Sequence, residues 1–485
     1  MMSLRDIAFS VNETTGVELT STRSSSAASM MHAATASVDI TPPVGIHLSN
    51  WALTPDAIAT GVHRPLLGKL LALKVAGRRA LLVALDLGWW MNADEEWALR
   101  ASLLRAANLV SEALIVCLTH THAGPSLSTS DRDRPGGRLI AAYLAALSRD
   151  LCAAAAKLWQ HLEPVTVTWR TGTCGLAVNR DLRLPDGRWV VGQNPAAAAD
   201  DTLVLAEFRR ADGSALALVC NYAVHPTTLG AGNTLLSPDL VGRAREIVEE
   251  VVGGSFVFLQ GASGDLSPRV QYSSDVADAD RNGDALGYAV LSTLSAMPRS
   301  GGTLKFVGVV ESGAPLGEFR SVPPTSVKRL ECQRATVTLD TQRNDPEGVD
   351  SAGMAAHVVA ARQTRARRVS DNVTERETVF EVTLWRIGDA ILVAHPGEAY
   401  SYLAQTLRAR YPGRPIVVVN LANGAHQGYL APHLAYQDGR YPAWQSPLSA
   451  GSLERLTEHC LRLLDDIPDS DPPLSEPPTE KEVPK

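Results

Sequence analysis

The chain has 485 residues, 45% hydrophobic and 20% charged, with a formal net charge of -7. That length exceeds one small core, and the balance is that of an ordinary globular protein. With no basic stripe or Arg-rich segment, and with aromatics at 5%, nothing offers a nucleic acid a charged track or a stacking platform, so it is excluded as a partner. The six cysteines (Cys117, Cys152, Cys174, Cys220, Cys332, Cys460) form no CxxC pair, which argues against a disulfide framework and a thiolate metal site.

Residues 1–35 are Ser/Thr-rich without an apolar core segment, and read as a flexible leader with no secretory signal. No transmembrane helix is expected, and a cytoplasmic location follows. The folded domain is placed at 36–466, starting with a short strand halted by Pro42-Pro43. Runs at 66–75 and 80–85 read as strands around the turn at Gly77. Asn92 then precedes Glu95 at capping-box spacing and opens a helix to about 107. The apolar run 113–118 is a strand buried on both faces, and it stops at Thr119-His120-Thr121-His122. At spacing i, i+2 the two histidines project from one side of an extended chain.

A long Ala/Leu helix is expected over 139–162 and a strand over 165–170, followed by a polar loop at 176–181. Strands at 203–208 and 215–224 flank the Asp212-Gly213 turn, and the second ends in His225-Pro226. Ser237-Pro238 reads as a cap and first turn of a helix to about 252. The strand 255–259 ends in the Gly261–Ser267 loop, and a helix follows over 278–297. Beyond a strand at 306–311, the stretch 315–379 reads as irregular, with one helix near 354–368. Strands at 380–386 and 390–394 pair around Gly388-Asp389, and the second ends in His395-Pro-Gly-Glu398. After a helix to about 411, the strand 415–419 ends in Asn420–Tyr429, and the last helix spans 452–464. His395, His426 and His433 read as supporting or surface residues, and the Pro/Glu-rich 467–485 as a disordered tail.

The fold class is therefore α/β: a mixed β-sheet core flanked by helices, with a site at the carboxyl ends of buried strands. Five strands end in unusual polar residues. If they converge, they deliver His, His, Glu and Tyr to one place, a nitrogen and oxygen set suited to catalytic Zn²⁺.

Thr-His-Thr-His-Ala-Gly-Pro125, Tyr222-Ala-Val-His-Pro226, Gly264-Asp-Leu-Ser-Pro268, Pro396-Gly-Glu398 and the stretch from Asn423 to Tyr441 come in the order and context of one family. Over about residues 37–464 the chain resembles the neutral/alkaline (non-lysosomal) ceramidases. The resemblance implies zinc ligands at His120, His225, Glu398 and Tyr429, and a histidine beside the metal at His122. It further implies a site arginine at Arg180, a site tyrosine at Tyr441 and the family's serine at Ser267. The chain departs from the pattern at Ala123, where the family has Ser, and at Pro442-Ala443, where Glu-Gly is usual. The function implied is zinc-dependent hydrolysis of an N-acyl amide, ceramide-like or another lipid-like small molecule. An acyltransferase or amide-forming cyclase, and a non-catalytic metal-binding homologue, stay open as alternatives. Sparse aromatics argue against an aromatic rim for drawing lipid from a membrane, so amides of short or medium chain are expected as preferred substrates. Oligomeric state is not legible.

Overall fold

The structure, a computed structural model, describes residues 31–48, 51, 53–296, 303–322, 327, 329–343, 356–371, 373, 375–425 and 427–467. Most of the expected leader and tail, and His426, lie outside the described residues.

The mixed sheet is doubled. The larger sheet has eight strands, in the spatial order Ser255–Gln260, Ala215–Tyr222, Thr202–Arg210, Glu163–Thr173, Met31–Asp39, Leu67–Val75, Arg78–Leu85, Leu114–Leu118. Its central pairs are antiparallel hairpins and meanders, but the last pair at each edge is parallel. The second sheet has four strands, Leu330–Asp340, Glu377–Ile387, Ala390–Ala394 and Ile416–Val419, and also ends in a parallel pair. Parallel pairs need crossover connections, which bring successive strand ends to the same side.

Side-chain alternation explains the layering. Leu392, Ala394, Val417 and Val419 face Ile115, Cys117, Val219 and Val257 across the space between the sheets. The alternate residues Ile391, Val393, Ile416 and Val418 pack outward on the helices Tyr402–Arg410 and Ser452–Asp465. On the far side of the large sheet, Ala93–Ala107 and Ile140–Leu158 cover one half and Leu240–Val252 and Val276–Ser295 the other. The result is a four-layer α-β-β-α arrangement, in which strands buried on both faces read as unbroken apolar runs.

Gly137–Leu158, which overlaps the long Ala/Leu helix expected over 139–162, is long and apolar enough to cross a membrane by length and composition. Here it packs Tyr143, Leu147 and Leu151 on the sheet, and the Tyr143 hydroxyl donates to the Ile40 carbonyl at 2.8 Å.

Other expectations are corrected. Leu330–Asp340 and Pro315–Val322, read as irregular, are strands. The first is an edge strand, half exposed along its length, so its apolar alternation is weak. Asn92 does cap Ala93–Ala107 by accepting from Asp94 N, but Glu95 does not complete the box. Its carboxylate instead accepts from the Thr129 backbone and hydroxyl at 2.7 and 2.5 Å. The helix expected to start at Ser237 begins at Leu240, capped by Asp239 at φ 54°. The Ser237 hydroxyl is taken by His63 Nδ1 at 2.9 Å.

Candidate metal centre

His120 follows the strand Leu114–Leu118 and sits at φ 71°, a left-handed conformation costly for a residue with a Cβ. The chain turns there, so the extended geometry expected for His120 and His122 does not hold. The two rings nevertheless meet edge to face at 4.9 Å. The turn is held by backbone bonds from Thr119 to Leu85 and from His120 to Leu87, at 2.8 and 2.9 Å. The Thr121 hydroxyl fastens it to the Ser237 carbonyl at 2.6 Å.

His225 follows Ala215–Tyr222, its backbone N–H bonded to the Leu266 carbonyl at 3.2 Å. Glu398 begins a two-residue strand that pairs in parallel register with Tyr429–Leu430, placing Tyr429 directly opposite it. Gly264 permits the close approach of the third loop. A Cβ there would lie 2.8 Å from the Tyr400 ring and 3.0 Å from the Glu398 carbonyl oxygen. Asn423 is structural: its side chain bonds the backbone of Leu114 and Val116, each at 2.8 Å, tying this segment to the strand that carries His120.

Three atoms converge. His120 Nε2 and His225 Nε2 are 3.1 Å apart, and Glu398 Oε2 lies 3.3 Å from the first and 3.0 Å from the second. The other nitrogen of each ring faces a backbone carbonyl: His120 Nδ1 donates to Gly88 at 3.2 Å, His225 Nδ1 to Ser263 at 2.7 Å. A carbonyl only accepts, so the ring proton belongs on Nδ1, and Nε2 carries the lone pair of a neutral imidazole. Burial, reinforced by the Arg180 cation, holds His225 down to about 3, so that ring is neutral at ordinary pH. Two lone pairs and a carboxylate oxygen thus point into one buried space. Such an acceptor set fits a cation. A tetrahedral metal at ~2.0–2.1 Å sets its ligand atoms roughly 3.3 Å apart. His122 joins a wider group: one ring nitrogen from each of His120, His122 and His225 lies within 4.8 Å of the others.

Around this triangle stand the remaining expected residues. Tyr429 is buried, its ring stacked on His225 at 6.4 Å, and its hydroxyl accepts from Arg180 Nη2 at 3.3 Å. Arg180 is itself buried and anchored on the Gly264 carbonyl through Nε and Nη2, at 3.1 and 2.7 Å. Burial would lower its pKa, but Tyr429, Tyr272 and Glu398 outweigh this and raise it, so the cation persists. Tyr441 meets Tyr429 edge to face at 6.0 Å. Ser267 is fully buried in a short strand opposite Val178, and its hydroxyl finds no hydrogen-bond partner among the described residues. Ser263, in the Gly261–Ser267 loop, spends its hydroxyl on Gln260 Nε2 at 2.6 Å.

Sequence reasoning missed the aromatic wall. Trp51 and Trp89 flank His122 at ring distances of 5.0 and 5.1 Å, and Tyr272, at φ 60°, meets Trp51 edge to face at 5.6 Å. Trp444 continues the wall from Tyr441 at 5.2 Å. The premise that no aromatic rim exists is therefore corrected: aromatics are few in the chain but concentrated here. Trp89, just past a buried strand and Asp86, carried the same strand-end signal as the histidines; Trp51 and Tyr272 carried none.

His433 is exposed, as expected. His395 does not support the site. It is fully buried against Phe380 at 5.8 Å, and neither ring nitrogen has a hydrogen-bond partner among the described residues. Burial pushes it down to about 3 from 6.5. As pH falls below 6.5 the unfolded chain takes the proton first, so stability is complete above that pH and declines toward 3, by up to ~1.4 kcal/mol per unit. His395→Leu removes this dependence. Thermal unfolding at pH 7.5 and pH 5 is expected to show the variant gaining on the wild type as pH drops; an unchanged gap would exclude a buried neutral His395.

No protein-family model matches the chain, and no curated protein matches its sequence. Solved structures do share its fold, two of them ceramidases. One, described as ceramidase complexed with C2, aligns at a TM-score of 0.66 and 17% identity, over 93% of this chain and 77% of that one. The other, neutral ceramidase from Pseudomonas aeruginosa, aligns at 0.64 and 17%, over the same shares. The chain thus has a neutral ceramidase-like fold, as the ordered motifs implied.

Proposed function

We propose that this chain is a metal-dependent amidohydrolase that cleaves N-acyl amides, with zinc held by His120, His225, Glu398 and Tyr429. The observation that carries the reading is the triangle of acceptor atoms at 3.0–3.3 Å whose ring protons are committed to carbonyls. The fold shared with neutral ceramidases supports the reaction class. Zinc held there would supply Lewis acidity toward the amide carbonyl and would lower the pKa of a water to about 7.

His122 moves the proton. Its ring stands beside the triangle between two tryptophans, and it accepts a proton as water attacks the acyl carbon and returns it to the amide nitrogen as the C–N bond breaks. The products are a fatty or other carboxylic acid and an amine. Arg180 and Tyr441 supply donors for the oxygen that gains negative charge, and the surrounding aromatic rings exclude bulk water, which strengthens those contacts. Among the described residues Ser267 has no base within hydrogen-bond reach, and an unactivated hydroxyl is a poor nucleophile. Ser267→Ala is therefore expected to form no less product per metal-loaded chain, and an acyl group trapped on Ser267 by rapid quenching and mass spectrometry would refute direct attack by water.

The aromatic wall offers apolar surface for an acyl chain, and each CH₂ buried on it adds up to ~0.8 kcal/mol. With zinc-loaded protein, kcat/KM is expected to climb with acyl length and then level off, with ceramide in mixed micelles included for comparison. Failure to hydrolyse any N-acyl amide would overturn the assignment.

A further inference from the structure

Arg180 and Tyr441 each have one half of an ion pair as chain neighbour. Asp181 and Arg440 stand 259 residues apart in sequence, yet Arg440 Nη1 donates to Asp181 Oδ2 at 3.3 Å. The Tyr400 hydroxyl donates to that same oxygen at 2.9 Å. Tyr400 lies two residues beyond Glu398, and its ring is the surface that Gly264 approaches. One buried carboxylate thus joins the three segments that carry Arg180, Glu398 and Tyr441.

Both ends of the pair are held. Asp181 opens the hairpin of Asp181–Arg183 and Trp189–Val191, and its carbonyl accepts from Asn194 Nδ2 at 2.8 Å. The Arg440 guanidinium lies over the Trp189 ring of that same hairpin at 4.1 Å. A cation over an indole face is drawn to it by the ring quadrupole, so Trp189 gives the guanidinium a seat beside Asp181. Its Nε and Nη2 donate to Asp438 at 3.0 and 2.5 Å. The Arg440 backbone is equally fixed. Its N–H donates to the Ala435 carbonyl at 2.9 Å, and its carbonyl accepts from Ala443 N–H at 3.0 Å, closing the first turn of Tyr441–Gln445.

We propose that Arg440 is a positioning residue: paired with Asp181 and seated on Trp189, it fixes Tyr441 relative to Arg180, so that both donors meet the oxygen that gains charge. This rests on the reading of Arg180 and Tyr441 as those donors. Such donors stabilise charge most when they are in place before it develops, and a misplacement of ~1 Å can cost about 100-fold in rate. An ion pair that served stability alone would lower the melting temperature without acting through Tyr441.

The test is a double-mutant cycle on the full chain loaded with zinc, with kcat, KM, bound metal and thermal unfolding read for each variant. Arg440→Gln is expected to lower kcat by ~10–100-fold, with KM moving little and metal retained. In a Tyr441→Phe background the same substitution should cost under ~2-fold, because its route to the substrate is already gone. Hydrogen exchange of the Tyr441–Gln445 amides, read on metal-free protein, should quicken in Arg440→Gln. Trp189→Leu removes the seat without leaving Asp181 unpaired. It should show a smaller loss with the same dependence on Tyr441, and it carries the cycle if Arg440→Gln unfolds. Losses that multiply in the double variant, unchanged exchange, or a fall in activity matched by lost metal or lost folded protein each overturn the positioning role. Failure of the underlying reading looks different. If Tyr441→Phe matches the wild type, or the zinc-loaded wild type hydrolyses no N-acyl amide, the donor role or the proposed function fails, and the positioning role with it.

Discussion

Glu398→Gln is expected to release the metal and to cut N-acyl amide hydrolysis by well over the ~100-fold that losing an outer partner of a metal ligand costs. Glu398 Oε2 supplies the anionic corner of the triangle, 3.0 Å from His225 Nε2 and 3.3 Å from His120 Nε2. Glutamine keeps the size but replaces one oxygen by an NH₂ group, whose hydrogens can be given to the two imidazole lone pairs. The acceptors that a cation reconciles are then reconciled by the amide. Two results should appear together: metal content falls toward zero, and the metal-free variant melts higher than the metal-free wild type. A variant that keeps zinc and full turnover would show that Glu398 is not a ligand.

His122→Phe is expected to lower kcat by ~10²–10⁴, the span for loss of a general acid or base, with metal retained. Phenylalanine preserves a flat ring between Trp51 and Trp89, which stand 5.0 and 5.1 Å away, and so separates proton transfer from packing. KM should move little, because the ring's service falls in the transition state and not in substrate binding. A variant with unchanged kcat would remove His122 from the reaction. Loss of metal instead would make it a ligand, consistent with its place among the clustered histidines.

What the sequence made legible follows from burial. Strands such as Leu114–Leu118 and Ala390–Ala394 are covered on both faces, so they read as apolar runs with abrupt ends, and those ends hold His120 and Glu398. Ordered motifs carried the fold. What stayed hidden depends on contacts distant in the chain. Nothing local marks Gly88 and Ser263 as the carbonyls that fix the histidine tautomers. Leu330–Asp340 lies at a sheet edge and needs few apolar residues, so it escaped notice. Trp51 and Tyr272 meet across more than two hundred residues. Aromatic content averaged over the chain could not reveal that clustering, and it misled the expectation about a rim.

Zinc titration of chelator-stripped protein, with bound metal and N-acyl amide hydrolysis read on the same samples, tests the metal centre most directly. Activity is expected to be absent at the start, to rise in proportion to bound zinc and to saturate at one equivalent per chain. Full activity in the stripped protein, or zinc bound with the same affinity by wild type and Glu398→Gln, would contradict a catalytic metal at the triangle of His120, His225 and Glu398.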